Sequence, residues 1–293
     1  MDEGERVRVL VVDDSALYRK IVREILAQIP QIEVVGVAAD GKIALDKIDY
    51  LRPDLITLDI EMPTKNGLDV LRELKGFERP PGVIMLSAQT GAGAEATLTA
   101  LQAGAFDFVL KPTGGDFESS VAELSKTLRQ RIEIYLRRVV RTPSLVAASR
   151  MDRQREPAIS RDDQSRQERS ASQNTAADLA FRWPIHAVAL GISTGGPPAL
   201  SALLPTIPPE LPVPLYIVQH MPPMFTKSLA DDLNRRCQIN VVEAQHGEAA
   251  RPGVAYIAPG GRQMKVERDG MRIRLCVNED LPERNCRPSV DYL

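Results

Sequence analysis

The sequence predicts an α/β protein of two domains, each built on a doubly wound parallel sheet. Three observations carry this. The chain has 293 residues, enough to bury two separate cores. Short β-branched runs alternate with helical periodicity over residues 7–140, and the same rhythm resumes at residue 183. The apolar runs are near-continuous rather than alternating, as in strands covered on both faces.

In order, "VRVLVV" (7–12) is a strand leading into the helix "ALYRKIVREILAQI". "EVVGVA" (33–38) precedes a helix near 41–51, and "DLITLD" (54–59), "GVIMLS" (82–87) and "DFVL" (107–110) are each followed by a helix. Five strand–helix units make one small doubly wound domain. Residues 141–182 break the pattern, being rich in Arg, Ser, Gln and Asp and mixed in sign. Such a stretch buries too little apolar surface to offset its ordering entropy, and it reads as a flexible linker. Then "HAVALGI" is a strand, "PPALSALLPTI" a helix, "VPLYIVQ" a second strand and "INVVEA" a third. "GVAYIAPGG", "QMKVERDG" and "MRIRLCV" read as shorter strands and hairpins with Gly-containing turns. The expected division is 1–125 for the first domain, 126–182 for a helical extension and linker, and 183–293 for the second domain.

Composition narrows the function. A net charge of −2 gives no basic field for nucleic acid. No apolar stretch approaches the roughly 18 residues of a membrane span. The N-terminus "MDEGERVRVLVV" lacks the basic region and cleavage site of a signal peptide. Three widely spaced cysteines without a C-x-x-C read as free thiols in a reducing compartment. The expectation is a cytoplasmic protein, monomeric, not inserted in a membrane and not bound to nucleic acid.

Chemistry concentrates at strand ends. Asp13-Asp14 follow the first strand, Asp59 ends the third, Ser87 the fourth and Lys111 the fifth. Ligands of parallel sheets collect at the carboxyl ends of strands. In the order 2-1-3-4-5 the first and third strands are neighbours, so Asp13, Asp14 and Asp59 converge. An all-oxygen carboxylate set suits Mg²⁺, while Ser87 and Lys111 suit phosphoryl oxygens. Taken singly, an Asp before a helix is a cap and Lys-Pro a turn; their joint placement argues for a site. Here the sequence resembles the response-regulator receiver family, on "VVDDS", "DLITLDIEMPTKNGL", "MLSA" and "ALQAGAFDFVLKP". The resemblance implies a flavodoxin-like receiver with Asp59 as phospho-acceptor. By it Asp13, Asp14, Asp59 and the backbone carbonyl of Glu61 hold Mg²⁺. Ser87, Phe108 and Lys111 become the switch residues, and a histidine kinase the phosphodonor.

The second concentration is "GISTGG" (191–196), a G-x-S-x-G turn between strand and helix that presents the Ser193 hydroxyl. The helix start offers N–H groups to an oxyanion. A base must lie within reach. Of three histidines, His186 begins its strand and lies at the far end. His220 ends the next strand, beside Ser193, and His246 follows the third strand, one further away. His220 is the favoured base. The second half resembles the chemotaxis protein-glutamate methylesterase family, on "GISTGGPPAL", "VPLYIVQHMPPMFTKSLADDLN", "GVAYIAPGG" and "CRPSVDYL". It implies nucleophile Ser193, general base His220 and oxyanion donor Thr194 N–H, with no cofactor for the ester chemistry. The implied substrates are glutamate methyl esters, and receptor glutamines for deamidation, on the cytoplasmic helices of chemoreceptors. The receiver is expected to gate this cleft through Asp59 phosphorylation.

Two departures stand out. The family's catalytic aspartate lies beyond "CRPSVD", whereas this sequence stops at Leu293, and neither Asp280 nor Asp291 matches it. The sequence therefore reads either as a fragment of a longer family member or as a naturally shortened one, and loss of an orienting carboxylate typically costs about 10⁴ in rate. The family also tends to have histidine at Gln263, read here as a surface-loop change. Two rivals follow: a catalytically impaired phospho-switch binding protein, and a hydrolase of small esters.

Overall fold

The structure, a computed structural model, describes residues 6–112, 116–140, 185–270 and 272–293. The expected linker over 141–182 lies outside the described residues.

Strands β1 (Val7–Val12), β2 (Ile32–Ala38), β3 (Leu55–Asp59), β4 (Gly82–Ala88) and β5 (Asp107–Lys111) form an all-parallel sheet in the order β2-β1-β3-β4-β5. Helices α1 (Ala16–Ala27), α2 (Gly41–Leu51), α3 (Gly67–Leu74), α4 (Gly91–Ala103) and α5 (Phe117–Val140) connect and cover it. Four of them start where sequence chemistry dictates. Ser15, Asp40, Asn66 and Thr90 each accept a hydrogen bond from the third backbone N–H beyond, satisfying an orphan donor of the first turn. Successive strand residues split between the faces. Leu10, Val12, Ile56, Leu58 and Met85 pack on one side, and Val9, Val11, Leu55, Ile84 and Leu86 on the other. Helix α5 runs past residue 125, and its Leu128 and Ile132 belong to the second of these clusters.

The second unit is a four-stranded parallel sheet of β6 (Val188–Ile192), β7 (Leu215–Gln219), β8 (Asn240–Glu243) and β9 (Val254–Ile257), in the order β6-β7-β9-β8. "GVAYIAPGG" thus enters the parallel sheet as β9, between β7 and β8, instead of forming a hairpin. Strands β10 (Gln263–Asp269) and β11 (Arg272–Asn278) do form an antiparallel hairpin. It lies over one face of the sheet, where Met264, Leu275 and Val277 meet Tyr216, Val218 and Tyr256. Helices α6 (Gly196–Leu203) and α7 (Phe225–Asn234) cover the other face.

The same helical layer also packs on the first unit. Leu98, Leu101 and Phe108 share one apolar cluster with Leu200, Leu204, Phe225 and Leu229. The Phe108 and Phe225 rings stack with centroids 5.1 Å apart and planes 8° from parallel. Beside them Gln102 Nε2 donates to Asp232 Oδ2 at 2.7 Å. The contact between units is therefore an apolar seam with a polar margin, made by α4, β5 and α5 on one side and by α6, α7 and the Ser193 turn on the other.

Candidate functional site

At the first site, β1 and β3 end side by side and bring carboxylate oxygens of Asp13, Asp14 and Asp59 within 4.8 Å of one another. Asp13 and Asp59 are buried and Asp14 is exposed. Lys111 Nζ, from the end of β5, lies 2.8 Å from Asp13 and 2.7 Å from Asp59, and 4.7 Å from the centre of the Tyr18 ring. Burial, above all, pushes the Asp59 carboxyl up to about 6, with Lys111 pulling against it and the neighbouring carboxylates adding to the rise. Burial works to lower Lys111, yet its bonds to Asp13 and Asp59 more than offset this and raise it. One cation among three carboxylates leaves negative charge in excess, and every donor is oxygen, so the set fits a hard divalent cation. Glu61 follows β3 in an exposed loop.

The expected switch residues occupy different places. Ser87 is fully buried, and its Oγ receives a 2.7 Å bond from Thr97 and lies 3.3 Å from Gly93 O. Among the described residues its bonds run to Gly93 and Thr97 of α4 and to the adjacent Ala88 O, and not to the carboxylates. Phe108 is buried against Phe225 of the second unit.

At the second site, the parallel register pairs Ile192 with Gln219, so Ser193 and His220 are the first residues past adjacent strand ends. His220 N donates to Ile192 O at 3.3 Å, extending that register by one step. Both residues line one small cavity of about 10 Å³ with Asp107, Phe108 and Arg131 of the first unit. Ser193 is itself exposed, so the first unit narrows the approach without sealing it. No hydrogen bond joins the pair, and His220 Nε2 is buried without a partner among the described residues. Nδ1 faces the Cys286 thiol at 3.9 Å. Burial lowers the His220 imidazole below its ordinary value, and the Arg131 charge lowers it further. A neutral imidazole is the form a general base needs.

The glycines of the turn have separate reasons. Gly195 holds φ +77° at the cap of α6, the left-handed bend that glycine tolerates. A Cβ on Gly191 would lie 2.6 Å from Val290, so this glycine makes room for the C-terminal segment. The other two histidines lie elsewhere. His186 precedes β6 at its other end, and His246 accepts from Val277 N at 3.3 Å. Because β9 lies between β7 and β8, His246 is two strands from β7 rather than one.

Four neighbours of the site were not singled out from sequence. Thr194 Oγ1 donates to Asp107 Oδ2 at 2.6 Å, and Arg131 Nε lies 3.2 Å from the same oxygen. Cys286 meets His220, and the Gln219 carboxamide lies under the serine turn. Asp107 and Arg131 carry no local signal, since only packing between units brings them here. The Gln219-His220 pair did offer one: a polar side chain ending a wholly apolar strand. Gln263 requires a correction. It is fully buried in β10, not on a surface loop. Its Nε2 donates to Leu281 O at 3.1 Å and Cys286 O at 3.4 Å, and its Oε1 accepts from Ser289 N at 2.8 Å.

Among the described residues, no helix is long and apolar enough to cross a membrane. The CheB methylesterase family model matches residues 188–293, and the response regulator receiver domain model residues 9–119. A protein-glutamate methylesterase/protein-glutamine glutaminase of Desulfotalea psychrophila is 49% identical over 294 residues, an alignment spanning 99% of this chain and 78% of the relative. One from Bacillus subtilis is 42% identical over 291 residues, spanning 98% and 76%. Among solved structures, the Thermotoga maritima CheB methylesterase catalytic domain is 38% identical, with 38% of this chain and 58% of that one covered at a TM-score of 0.36. The response regulator domain of Thermotoga maritima CheB is 42% identical, with 44% and 98% covered at a TM-score of 0.38.

Proposed function

The chain belongs to the CheB methylesterase family with an N-terminal receiver domain, and from that premise we propose that Ser193 and His220 hydrolyse glutamate methyl esters on chemoreceptors. The observation that carries this is their position one step past the paired residues Ile192 and Gln219, lining one cavity. In the reaction, Ser193 Oγ attacks the γ-carbonyl carbon while His220 Nε2 takes its proton, and the Thr194 N–H donates to the oxyanion. The carbon–methoxy bond breaks and methanol leaves with that proton. Water then attacks the acyl-serine, again through His220, giving glutamate and free Ser193. A glutamine carboxamide enters the same path with ammonia as leaving group, as the name of the relatives indicates.

The receiver reading assigns Asp59 as phospho-acceptor from a histidine kinase, with Mg²⁺ held by Asp13, Asp14, Asp59 and the Glu61 carbonyl. When bound, the ion supplies positive charge to carboxylate and phosphoryl oxygens. Lys111 pairs with the phosphoryl group, and Ser87 turns from Thr97 toward it. Phe108 lies on the seam with Phe225, so a rearrangement begun at Ser87 bears on the contact flanking Ser193. Phosphorylation thereby widens an approach that the receiver narrows. A cytoplasmic location follows from these partners.

Methanol release from methylated receptor, with and without a small-molecule phosphodonor, tests this. Release should rise with the donor and vanish in Ser193→Ala. The contact of Nδ1 with a thiol rather than a carboxylate favours a second reading, a phospho-switch binding protein. Receptor binding that responds to the donor while no methanol appears would select it.

A further inference from the structure

Gln219 ends β7, a strand otherwise made of Leu215, Tyr216, Ile217 and Val218, and it is 2% exposed. Burying a carboxamide at a strand end is costly unless its polar atoms are used. Its Nε2 donates to Ser193 O at 3.1 Å and approaches His220 O at 3.4 Å. One amide group thus touches the backbone of both residues that the ester reading needs. Its Oε1 is buried without a hydrogen-bond partner among the described residues and lies against the start of α6, where a Cβ built on Gly196 would stand 1.8 Å away, so the Nε2 bonds alone offset the burial. The serine turn and the amide fit together only because residue 196 has no side chain.

We infer that Gln219 is a positioning residue, which fixes the turn carrying Ser193 relative to the strand end carrying His220, and that Gly196 is the space it requires. The inference rests on the assignment of Ser193 and His220 proposed above. Backbone pairing between β6 and β7 ends with the bond from His220 N to Ile192 O. Past that bond, the Gln219 amide joins the two strand ends again through Ser193 O. A carboxylate at 219 would set acceptor against acceptor at both carbonyls. A methionine would fill a similar volume and remove the link.

The test uses the full chain with phosphodonor. It reads kcat and KM for methanol release, the rate of Ser193 phosphonylation by a fluorophosphonate, and the thermal midpoint. Gln219→Met should leave KM within about twofold and lower kcat on the order of 10²-fold, the scale of a 1 Å misplacement, with phosphonylation slowed in parallel. Gly196→Ala should reproduce the loss by displacing the amide, yet add nothing in a Gln219→Ala background. A folded Gln219→Met with wild-type kcat and phosphonylation overturns the inference. So does Gly196→Ala adding its full cost to Gln219→Ala, a comparison that decides the matter if Gln219→Met unfolds. Persistent methanol release and labelling in Ser193→Ala, or neither in the wild type, would instead overturn the assignment beneath it.

Discussion

Thr194, the residue after the proposed nucleophile, donates its side-chain hydroxyl to Asp107 of the receiver at 2.6 Å. Asp107 also accepts from Phe108 N at 2.8 Å and faces Arg131 at 3.2 Å, so one buried carboxylate joins the serine turn, β5 and α5. A bond from a neutral donor to a charged acceptor contributes about 1.5–3 kcal/mol. Asp107→Ala removes this bond between units while leaving the Gln102–Asp232 bond and the Phe108–Phe225 stack. Basal methanol release without phosphodonor should rise roughly tenfold, the equivalent of about 1.4 kcal/mol. The donor should then add correspondingly less. Unchanged basal release would mean that the apolar seam and the Gln102–Asp232 bond hold the receiver in place.

Arg131 should shift the acid limit of the esterase. His220 is lowered first by burial and then by the Arg131 charge, which Asp107 partly neutralises. Cys286 also faces the ring. As the proposed base, His220 acts when neutral, so activity should fall as pH drops through its pKa. Arg131→Met removes the cation, raises the imidazole toward its ordinary value of about 6.5, and moves the acid limb of kcat/KM to higher pH. With three histidines in the chain, the His220 resonance is resolvable by NMR, which would follow the same shift directly. A titration unmoved by Arg131→Met would leave burial as the whole cause.

The carboxylate cluster makes a different expectation, about metal. Lys111 alone cannot neutralise Asp13, Asp14 and Asp59, and Asp59 sits at about 6 chiefly through burial. Mg²⁺ at ten times its dissociation constant should stabilise the fold by about 1.4 kcal/mol through mass action, and chelation should reverse it. Asp13→Asn should abolish the response. Thermal midpoints in Mg²⁺ and in EDTA would show it, and equal midpoints for the wild type would count against a metal there.

Much of this was legible in the sequence, and the failures have physical causes. The parallel strand–helix–strand units and the adjacency of the Ser193 and His220 strand ends follow from local patterning and short crossovers, while the place where the order β2-β1-β3-β4-β5 reverses does not. β9 misled because its four residues are wholly buried, and a short apolar run does not reveal whether its neighbour is parallel or antiparallel. Gln263 misled because a polar residue beside Gly-Gly reads as loop, while its three hydrogen bonds go to backbone about twenty residues away. Asp107 and Arg131 depend on packing between units, to which no local pattern points.

Gln263 is accordingly a stability site. Gln263→Leu would leave Leu281 O, Cys286 O and Ser289 N without that partner, at about 1–3 kcal/mol for each group that stays buried and unpaired. Denaturant unfolding should show a loss in that range or above. The segment from 281 to 289 should also become protease-sensitive before the receiver does. A loss below 0.5 kcal/mol, the usual surface range, would mean that water replaces the amide.

Cys286 bears on how well His220 can work. If Nδ1–H points at the thiol, Nε2 is bare and able to take the Ser193 proton; if S–H points at Nδ1, Nε2 carries the proton and the base is lost. At 3.9 Å a thiol is a weak partner for either tautomer, so it should bias the imidazole only slightly. Cys286→Ala should therefore change kcat less than about tenfold, far from the 10⁴ that follows loss of an orienting carboxylate. Cys286→Asp places an anionic acceptor in the same direction, favours Nδ1–H, and should raise kcat at neutral pH. Measured together, the two variants separate orientation from packing. A fall on the scale of 10³ in Cys286→Ala would make the thiol the group that holds the ring, and a fall in both would make the contact one of packing alone.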